Sequence, residues 1–362
     1  MKKTISLVLI IVFSITWWYF LITNKKIPAM NNKEVFYNKK IYTSNNYSIN
    51  IVDPEKKTVI KNIMLSKPFF AKKIEYDWHN IQISPDKKLL AVTANVLDNS
   101  WWDQHGWEWS NNIEHDDEII IISTTTDEIL YRIPLWSELH LWHVVFHPYE
   151  QKIYITSDAQ YSVYEVDLST KSIIKKFPFF PWAWPHWLRF YDENNLYVAL
   201  EGYIANIDLK NGTTSYIPVN DKAVQVATTS GKVYASLYSS KRIAVYDTNT
   251  RMLSYLQLPS DSQWPIQLYI NSVDKKLYVA DQWYYFWQLP NNKVYWIDPI
   301  TNQVNSYDAE NGTHGVVTDS SWYVYVSNLL SWSVTIINPM WWWVLWSIVV
   351  WESPNWITIW EK

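Results

Sequence analysis

Short stretches of alternating apolar and polar residues, separated by clusters of Asp, Asn, Pro and Lys, fill the chain from residue 35 onward. Alternation with a period of two is typical of β-strands that bury one face, and the polar clusters are typical of turns. No segment in this region shows the apolar spacing of an amphipathic helix. The pattern therefore predicts an all-β fold for residues 35–362.

One kind of strand opening recurs along the chain at nearly regular intervals. The openings are anchored at His79, His143, His186, Lys222, Trp264, His314 and Asn355. Successive anchors are mostly about 40 residues apart, and each interval holds about four predicted strands. Such a period is the sequence signature of a β-propeller. The sequence thus predicts a seven-bladed β-propeller of four-stranded blades.

The two ends of the repeat region complement each other. Three strands without an inner strand are predicted within residues 40–64, and a lone inner strand is predicted at residues 356–360. We therefore expect the C-terminal strand to close the N-terminal blade, which removes open sheet edges. Two intervals are longer than the rest, and their extra residues form insertions at 96–117 and 282–292 between second and third strands.

The first residues have a different pattern. Lysines at both ends flank an apolar run from about Thr4 to Thr23, and about 20 apolar residues suffice to cross a bilayer. We expect a signal anchor or transmembrane helix at residues 1–26, a linker at 27–34 and an extracytoplasmic propeller at 35–362. The protein would then be a single-pass protein of the cell membrane. The alternative is a cleaved signal peptide, which would give a secreted or periplasmic protein.

The glycine and tryptophan counts are abnormal. Glycine makes up roughly 7% of residues in average proteins, so about 25 would be expected where this chain has 6. Tryptophan occurs 25 times, and it often stands in turns that favour glycine, as in Ser321-Trp322 and Ser331-Trp332. The pattern indicates that many tryptophans are glycines encoded by a reassigned UGA codon. A tryptophan-rich carbohydrate-binding surface is the alternative.

Charge and cysteine content exclude some classes of function. The net charge of -4 gives no reason to expect a nucleic-acid partner. Cysteine is absent, so disulfides and thiolate metal sites are excluded.

Several segments resemble the YVTN-type (WD40/YVTN repeat-like) propeller repeat. Residues Val350–Ile359 resemble its opening, with Trp351 and Trp356 at glycine positions, and Ile83–Val92 resemble its first turn and second strand. Its third strand is resembled by residues 243–248, 294–299 and 334–339. The resemblance implies that the first strand of each blade lines a central channel and begins at the channel mouth. Propellers of this kind include binding proteins, lactonases and metal- or quinone-dependent oxidoreductases, so the resemblance does not specify a function.

This geometry would bring four histidines from separate blades to one channel mouth. They are His79, His143, His186 and His314. The longer insertion would add His105, His115, Asp103 and Glu108 above the same mouth. Imidazole and carboxylate groups suit a transition metal (Cu, Zn or Fe), and carboxylates with carbonyls suit Ca. The alternative is that these side chains only satisfy backbone groups at the turns.

Other candidate residues are weaker. His147 is expected deeper in the channel or at its other face than His143, so we give it a lower weight as a ligand. Asp158, Glu201 and Asp281 end second strands, where lactonase-type propellers place metal-binding carboxylates.

The sequence therefore predicts a ligand- or protein-binding module that acts through a histidine-lined channel mouth. A metal-dependent enzyme, either an oxidoreductase or a lactonase-like hydrolase, is the alternative. The expected partners are the membrane, through the N-terminal segment, and a small ligand or protein at the propeller face.

Overall fold

Antiparallel β-strands make up the regular structure of the protein in a computed structural model. The structure describes residues 39–362 except 46, 70–71, 75, 97–115, 137–138, 230, 283–290 and 339–342. All of these belong to one compact unit, Asn38–Lys362. This described part contains no helix, and hence none that could span a membrane. The helix predicted at residues 1–26 lies outside it.

The strands follow one another with few irregular residues between them. In chain order they are β1 (Lys39–Ser44), β2 (Ser48–Asp53), β3 (Thr58–Met64), β4 (Lys67–Phe69), β5 (Lys72–Ile74), β6 (Tyr76–Ile83), β7 (Leu89–Val96), β8 (Glu118–Ser123), β9 (Glu128–Pro134), β10 (Leu141–Phe146), β11 (Lys152–Ser157), β12 (Ser162–Asp167), β13 (Ser172–Pro178), β14 (Leu188–Phe190), β15 (Asn195–Asp208), β16 (Thr213–Thr229), β17 (Lys232–Leu237), β18 (Arg242–Asp247), β19 (Leu253–Gln257), β20 (Trp264–Ile270), β21 (Leu277–Gln282), β22 (Lys293–Ile297), β23 (Val304–Asp308), β24 (Thr313–Thr318), β25 (Val324–Asn328), β26 (Ser333–Asn338), β27 (Trp343–Val349) and β28 (Ile357–Glu361).

The strands form the blades of a β-propeller. The sheet orders are β28-β1-β2-β3, β6-β7-β8-β9, β10-β11-β12-β13, β14-β15-β16-β17-β18-β19, β20-β21-β22-β23 and β24-β25-β26-β27, with a small sheet β4-β5 beside them. Apolar side chains of neighbouring sheets form shared clusters, as where Ile119 and Ile121 of β8 join Ile153 and Ile155 of β11. Burial of these faces between sheets is the main favourable contribution to folding.

The prediction of seven separate four-stranded blades is wrong. Counted as continuous hydrogen-bonded sheets, the described propeller has six blades, because the predicted fourth and fifth blades share one sheet of six strands. In that sheet β15 and β16 each run through a point where the sequence predicts a break. The pairing of Glu201 with Lys222 joins the two halves, with Gly202 in the left-handed conformation. Local turn signals do not reveal such a pairing, which depends on how close the two chain segments lie.

The C-terminal strand closes the N-terminal sheet, as the ends of the sequence predict. Strand β28 pairs with β1, so that Ile359 lies opposite Ile41 and Ile357 opposite Thr43. A buried ion pair accompanies this pairing. Lys39 Nζ lies 2.7 Å from Asp319 Oδ2 and 3.2 Å from a carboxylate oxygen of Glu361. The first strand is thus tied to the last strand and to the neighbouring sheet.

Aspartate side chains initiate the turns between third and fourth strands. Asp247 Oδ1 accepts hydrogen bonds from the backbone N–H groups of Asn249 (3.0 Å) and Thr250 (2.8 Å), and these bonds lower the pKa of Asp247. Arg251, which follows, has a left-handed backbone with φ of 60°. Equivalent turns begin at Asp53, Asp167 and Asp298. The repeat therefore needs a positive φ at a fixed turn position.

Four tryptophans occupy this strained backbone region. Trp182, Trp184, Trp322 and Trp332 have φ values of 69°, 40°, 68° and 52°. A left-handed backbone costs a residue with a side chain about 1–2 kcal/mol, and glycine avoids this cost. Trp182 and Trp332 are also more than half exposed, at 60% and 53%, so their indoles gain little from packing.

We predict that loss of Lys39 destabilises the closure. Lys39→Met leaves the fully buried carboxylate of Asp319 without its cation, which should lower the free energy of unfolding by about 3–5 kcal/mol. The matched control is Lys88→Met, because Lys88 pairs with Asp86 in solvent and should change stability by less than about 1 kcal/mol. Urea unfolding measures both. Equal effects of the two variants would contradict a structural role for the buried pair.

We also predict that glycine is better than tryptophan at the strained turns. Trp322→Gly and Trp332→Gly should each raise the free energy of unfolding by about 1 kcal/mol, because they relieve the positive φ. Trp136 is equally exposed, at 55%, and is not in the left-handed region, so Trp136→Gly is the control and should destabilise. Thermal and urea unfolding give the comparison. Destabilisation of all three variants alike would show that the turns do not need glycine.

Candidate functional site

The inner strands of several sheets begin with a β-bulge at the channel mouth. The pairing register shifts between Trp78 and Ile81 in β6, between Leu141 and Val144 in β10, and between Thr313 and Gly315 in β24. An extra residue in a bulge turns the local side chains away from the regular alternation. His79, His143 and His314 each lie within one of these bulges, and His186 lies two residues before the start of β14.

A hydroxyl on the second strand connects each of four inner strands to the next sheet. Thr156 Oγ1 accepts a hydrogen bond from the backbone N–H of His143 (3.0 Å) and donates one to the carbonyl oxygen of His186 (2.6 Å). The same bridge is made by Thr93 between Asn80 and Trp142, by Ser236 between Gln225 and Ile266, and by Ser327 between Gly315 and Asn355. We call these four side chains the hydroxyl bridges. They fix where neighbouring inner strands begin relative to each other.

Three of the predicted histidines meet at the mouth around two tryptophans. The ring centroid of His143 lies 4.5 Å from that of His186 and 4.2 Å from that of Trp187. Trp356 lies between His143 (4.7 Å) and His314 (4.6 Å), and 5.1 Å from Trp187. Side chains associated with four separate sheets therefore share one cluster (His143, His186, Trp187, His314 and Trp356), which we call the mouth cluster.

Backbone carbonyls orient two of these imidazoles. Nδ1 of His186 lies 2.8 Å from the carbonyl oxygen of Val224, and Nδ1 of His314 lies 3.0 Å from that of Asn355. Because a carbonyl only accepts hydrogen bonds, Nδ1 is the donor in each ring and Nε2 carries the lone pair. Burial lowers the pKa of His186 to about 3, with a further contribution from Lys222, and lowers the pKa of His314 to about 4. Both rings are neutral at physiological pH.

The other predicted histidine ligands are placed differently or lie outside the described residues. The hydroxyl bridges align His143 with Asn80 and Gly315 rather than with His79 and His314, so His143 stands one residue further along its strand than the sequence alignment suggests. The backbone of His79 belongs to β6, and its side chain is outside the described part. His105, His115, Asp103 and Glu108 also lie outside it. Among the described residues, no three His, Asp or Glu side chains are close enough together to hold a metal ion.

The candidate carboxylates are engaged in local structure. Burial raises the pKa of Asp281 to about 7, and its carboxylate accepts hydrogen bonds from the backbone N–H of Gln263 (2.7 Å) and from Ser262 Oγ (3.3 Å). Asp158 Oδ1 lies 2.6 Å from Nδ1 of His140. Glu201 is part of the pairing that joins β15 and β16. The side chains of Asp158 and Asp281 thus hold connections between strands, and Glu201 does so through its backbone pairing.

His147 also has a structural role at the end of its strand away from the mouth. Its Nδ1 accepts hydrogen bonds from the backbone N–H groups of Tyr149 (3.2 Å) and Glu150 (2.9 Å). Its Nε2 lies 3.0 Å from the carbonyl oxygen of Glu193. The imidazole thus satisfies backbone groups at a turn, which is the alternative that the sequence left open for such histidines.

Comparison with solved structures shows the same type of fold. The chain is similar to virginiamycin B lyase from Staphylococcus aureus, with a TM-score of 0.62 and 10% identity over 77% of this chain and 87% of the lyase chain. It is similar to Kuenenia stuttgartiensis hydrazine synthase, with a TM-score of 0.61 and 16% identity over 76% of this chain and 87% of that one. It is also similar to the Myceliophteria thermophila Cps50 (Swd1) β-propeller domain, with a TM-score of 0.59 and 11% identity over 77% of this chain and 89% of that domain.

These similarities establish the propeller fold alone, because the identities are low and the neighbours include both enzymes and a WD40-type domain. No protein-family model matches the chain. No curated protein matches it in sequence.

We predict that the hydroxyl of Thr156 holds the mouth in place. Thr156→Val keeps the side-chain shape but leaves the buried N–H of His143 without this acceptor, so the free energy of unfolding should fall by about 2 kcal/mol. The control is Thr156→Ser, which keeps the hydroxyl. Hydrogen exchange of the His143 amide separates the two, because exchange should accelerate only in the valine variant. Equal protection in both variants would contradict the bridge.

Proposed function

We propose that the protein is a YVTN-type propeller that binds a ligand or a protein segment through the histidine-lined mouth of its channel. Residues 1–26 would anchor it in the cell membrane, residues 27–34 would form a linker, and residues 35–362 would face the extracytoplasmic side. The apolar run between the N-terminal lysines supports the anchor. A cleaved signal peptide would instead release the same propeller.

The convergence of His143, His186 and His314 from three sheets carries this proposal. Burial of three imidazoles at the axis is not needed to close a β-propeller, because apolar side chains fill the space between the sheets. Neutral His186 and His314 of this tautomer carry an acceptor at Nε2 in a defined orientation. Propeller mouths are also natural places for binding, because loops from several sheets surround them.

We further propose that many of the tryptophans are glycines in the native protein, encoded by UGA. The positive φ values of Trp182, Trp184, Trp322 and Trp332 support this, because tryptophan is rare in that conformation. The buried indole N–H of Trp187 has no hydrogen-bond acceptor among the described residues, although buried indoles usually have one. If Trp187 and Trp356 are glycines, the mouth cluster becomes an open pocket lined by the three histidines. Sequencing of peptides from the native protein decides this.

A metal-dependent enzyme is the second candidate function. His186 and His314 each direct Nδ1 to a backbone carbonyl, which is the arrangement that commonly orients metal-binding imidazoles. Copper, zinc or iron would suit these nitrogen ligands, and calcium would need the carboxylates of the insertion. The described histidines do not form a complete site by themselves, so His79 and the insertion (His105, His115, Asp103 and Glu108) would have to supply further ligands.

The test of both candidates is an NMR titration of the histidine side chains. The protein is prepared in two forms, one with tryptophan at positions 187 and 356 and one with glycine at both positions. It is titrated with a fragment set of amines, amides and sugars, and separately with Zn²⁺, Cu²⁺, Fe²⁺ and Ca²⁺. We expect fragments to shift the His186 and His314 resonances, and to lose affinity at least about tenfold in His186→Ala/His314→Ala.

The outcomes distinguish the candidates. Stoichiometric binding of one metal, abolished in the double variant, would favour the enzyme. If neither fragments nor metals shift these resonances in either form of the protein, binding at the mouth is wrong. The matched control variant is His140→Ala, because His140 is exposed and pairs with Asp158 outside the mouth cluster.

A further inference from the structure

The channel contains a cavity of about 270 Å³ beside Trp187. Inner strands β6, β14, β16, β20, β24 and β28 contribute its walls. Besides Arg189, its polar lining residues are Gln82, Gln225, Thr228, Gln267, Tyr269 and Thr358, and aliphatic side chains such as Ile270 and Ile359 line other parts of the wall. The cavity is therefore large enough for a small organic molecule and has a mixed polar and apolar surface.

Arg189 is the one charged residue among the described residues that line this cavity. Its Nη1 donates a hydrogen bond to Gln82 Oε1 (2.9 Å), and its guanidinium lies 5.4 Å from the ring centroid of Trp187. A guanidinium has five N–H donors, so one amide oxygen leaves most of them for another acceptor. Within the described part of the chain, no carboxylate forms an ion pair with Arg189.

Among the described residues, the charge of Arg189 is therefore not compensated by a carboxylate. Asp319 and Glu361 act electrostatically on the neighbouring Tyr269, but both carboxylates pair with Lys39. Burial lowers the pKa of Arg189, since desolvation disfavours its charged form. A buried cation without a counter-charge is costly, and an anion in the cavity would remove that cost.

The cavity opens at the end of the channel away from the mouth cluster. Along β28, Ile357 is buried whereas Thr358 and Ile359 are partly exposed. The same change occurs along β20, from buried Leu268 to partly exposed Ile270. A ligand could therefore reach Arg189 without passing Trp187 and Trp356. Ile359 and Ile270 would lie against the part of the ligand nearest this opening.

We propose that this cavity binds a small organic monocarboxylate, with its carboxylate on Arg189 and its short aliphatic tail toward Ile270 and Ile359. The planar guanidinium matches a carboxylate with two parallel hydrogen bonds. One positive charge matches one negative charge, so the dianionic form of phosphate, which predominates at mildly alkaline pH, is disfavoured. The aliphatic wall at the opening favours a tail of a few carbon atoms over acetate.

The position of Arg189 in its strand indicates which substitution removes the charge with the least disturbance of the fold. Arg189 pairs with Tyr197 in its sheet, and Gln82 pairs with Ala91 at the corresponding position of β6. The fold thus accommodates glutamine at this level of the channel. Arg189→Gln removes the charge while keeping a polar side chain of similar length. Arg251→Gln is the control, because Arg251 is an exposed turn residue on an outer hairpin.

Isothermal titration calorimetry with butyrate, butyramide and inorganic phosphate tests the proposal. We expect butyrate to bind the intact protein and Arg251→Gln equally, and to bind Arg189→Gln at least about tenfold more weakly. Butyramide and phosphate should not displace it. Circular dichroism checks that each variant is folded, and Arg189→Lys should bind butyrate with intermediate affinity if Arg189→Gln does not fold.

Three results would overturn the carboxylate site. They are no binding of butyrate to the intact protein, equal binding to Arg189→Gln, and equal or tighter binding of phosphate. Binding of butyrate should persist in His186→Ala/His314→Ala, since neither histidine lines the cavity. The proposal of a carboxylate site at Arg189 and the proposal of binding at the mouth are therefore tested independently of each other.

Discussion

The hydroxyl bridges determine how the sheets meet at the axis. Apolar burial between sheets is strong but has no direction, so it does not set how far one inner strand slides along the next. A hydroxyl that accepts from its own sheet and donates to the neighbour, as Thr156 does, is directional. It places the carbonyl of His186 relative to the N–H of His143. The geometry of the mouth cluster depends on this registration.

The axis carries two different environments as a result. At the mouth, neutral His186 and His314 pack against indoles and carbonyl oxygens, so the imidazoles at this end carry no charge. Further along the channel, Arg189 brings a positive charge into a cavity, where it donates a hydrogen bond to Gln82 and lies near the ring of Trp187. One inner strand, β14, together with the residue that precedes it, contributes to both environments. The two sites share a scaffold without sharing side chains that act on a ligand.

Much of the fold could be predicted because its signals are local. Alternating strands, aspartate turns such as that of Asp247, and the complementary ends of the repeat region are all visible in the sequence. The junction through Glu201 and Lys222 could not be predicted, because it depends on the distance in space between two segments of the chain. The sequence places His143 one residue away from its actual alignment, because only the hydroxyl bridges show which residue of each opening is equivalent. Arg189 looks like an ordinary strand residue, and only the closed ring places it in a cavity.

The pairing of β28 with β1 has a consequence for biosynthesis. At elongation rates of about 5–20 residues per second, β1 leaves the ribosome roughly 15–60 s before β28 exists. During that time the edge of β1 that will receive β28 is open, and open edges invite pairing with other chains. In the nascent propeller, the synthesis of β1 is therefore separated by this interval from the closure of its sheet by β28. A chain that terminates early keeps its open edge, which gives quality-control factors a feature that distinguishes it from the finished molecule.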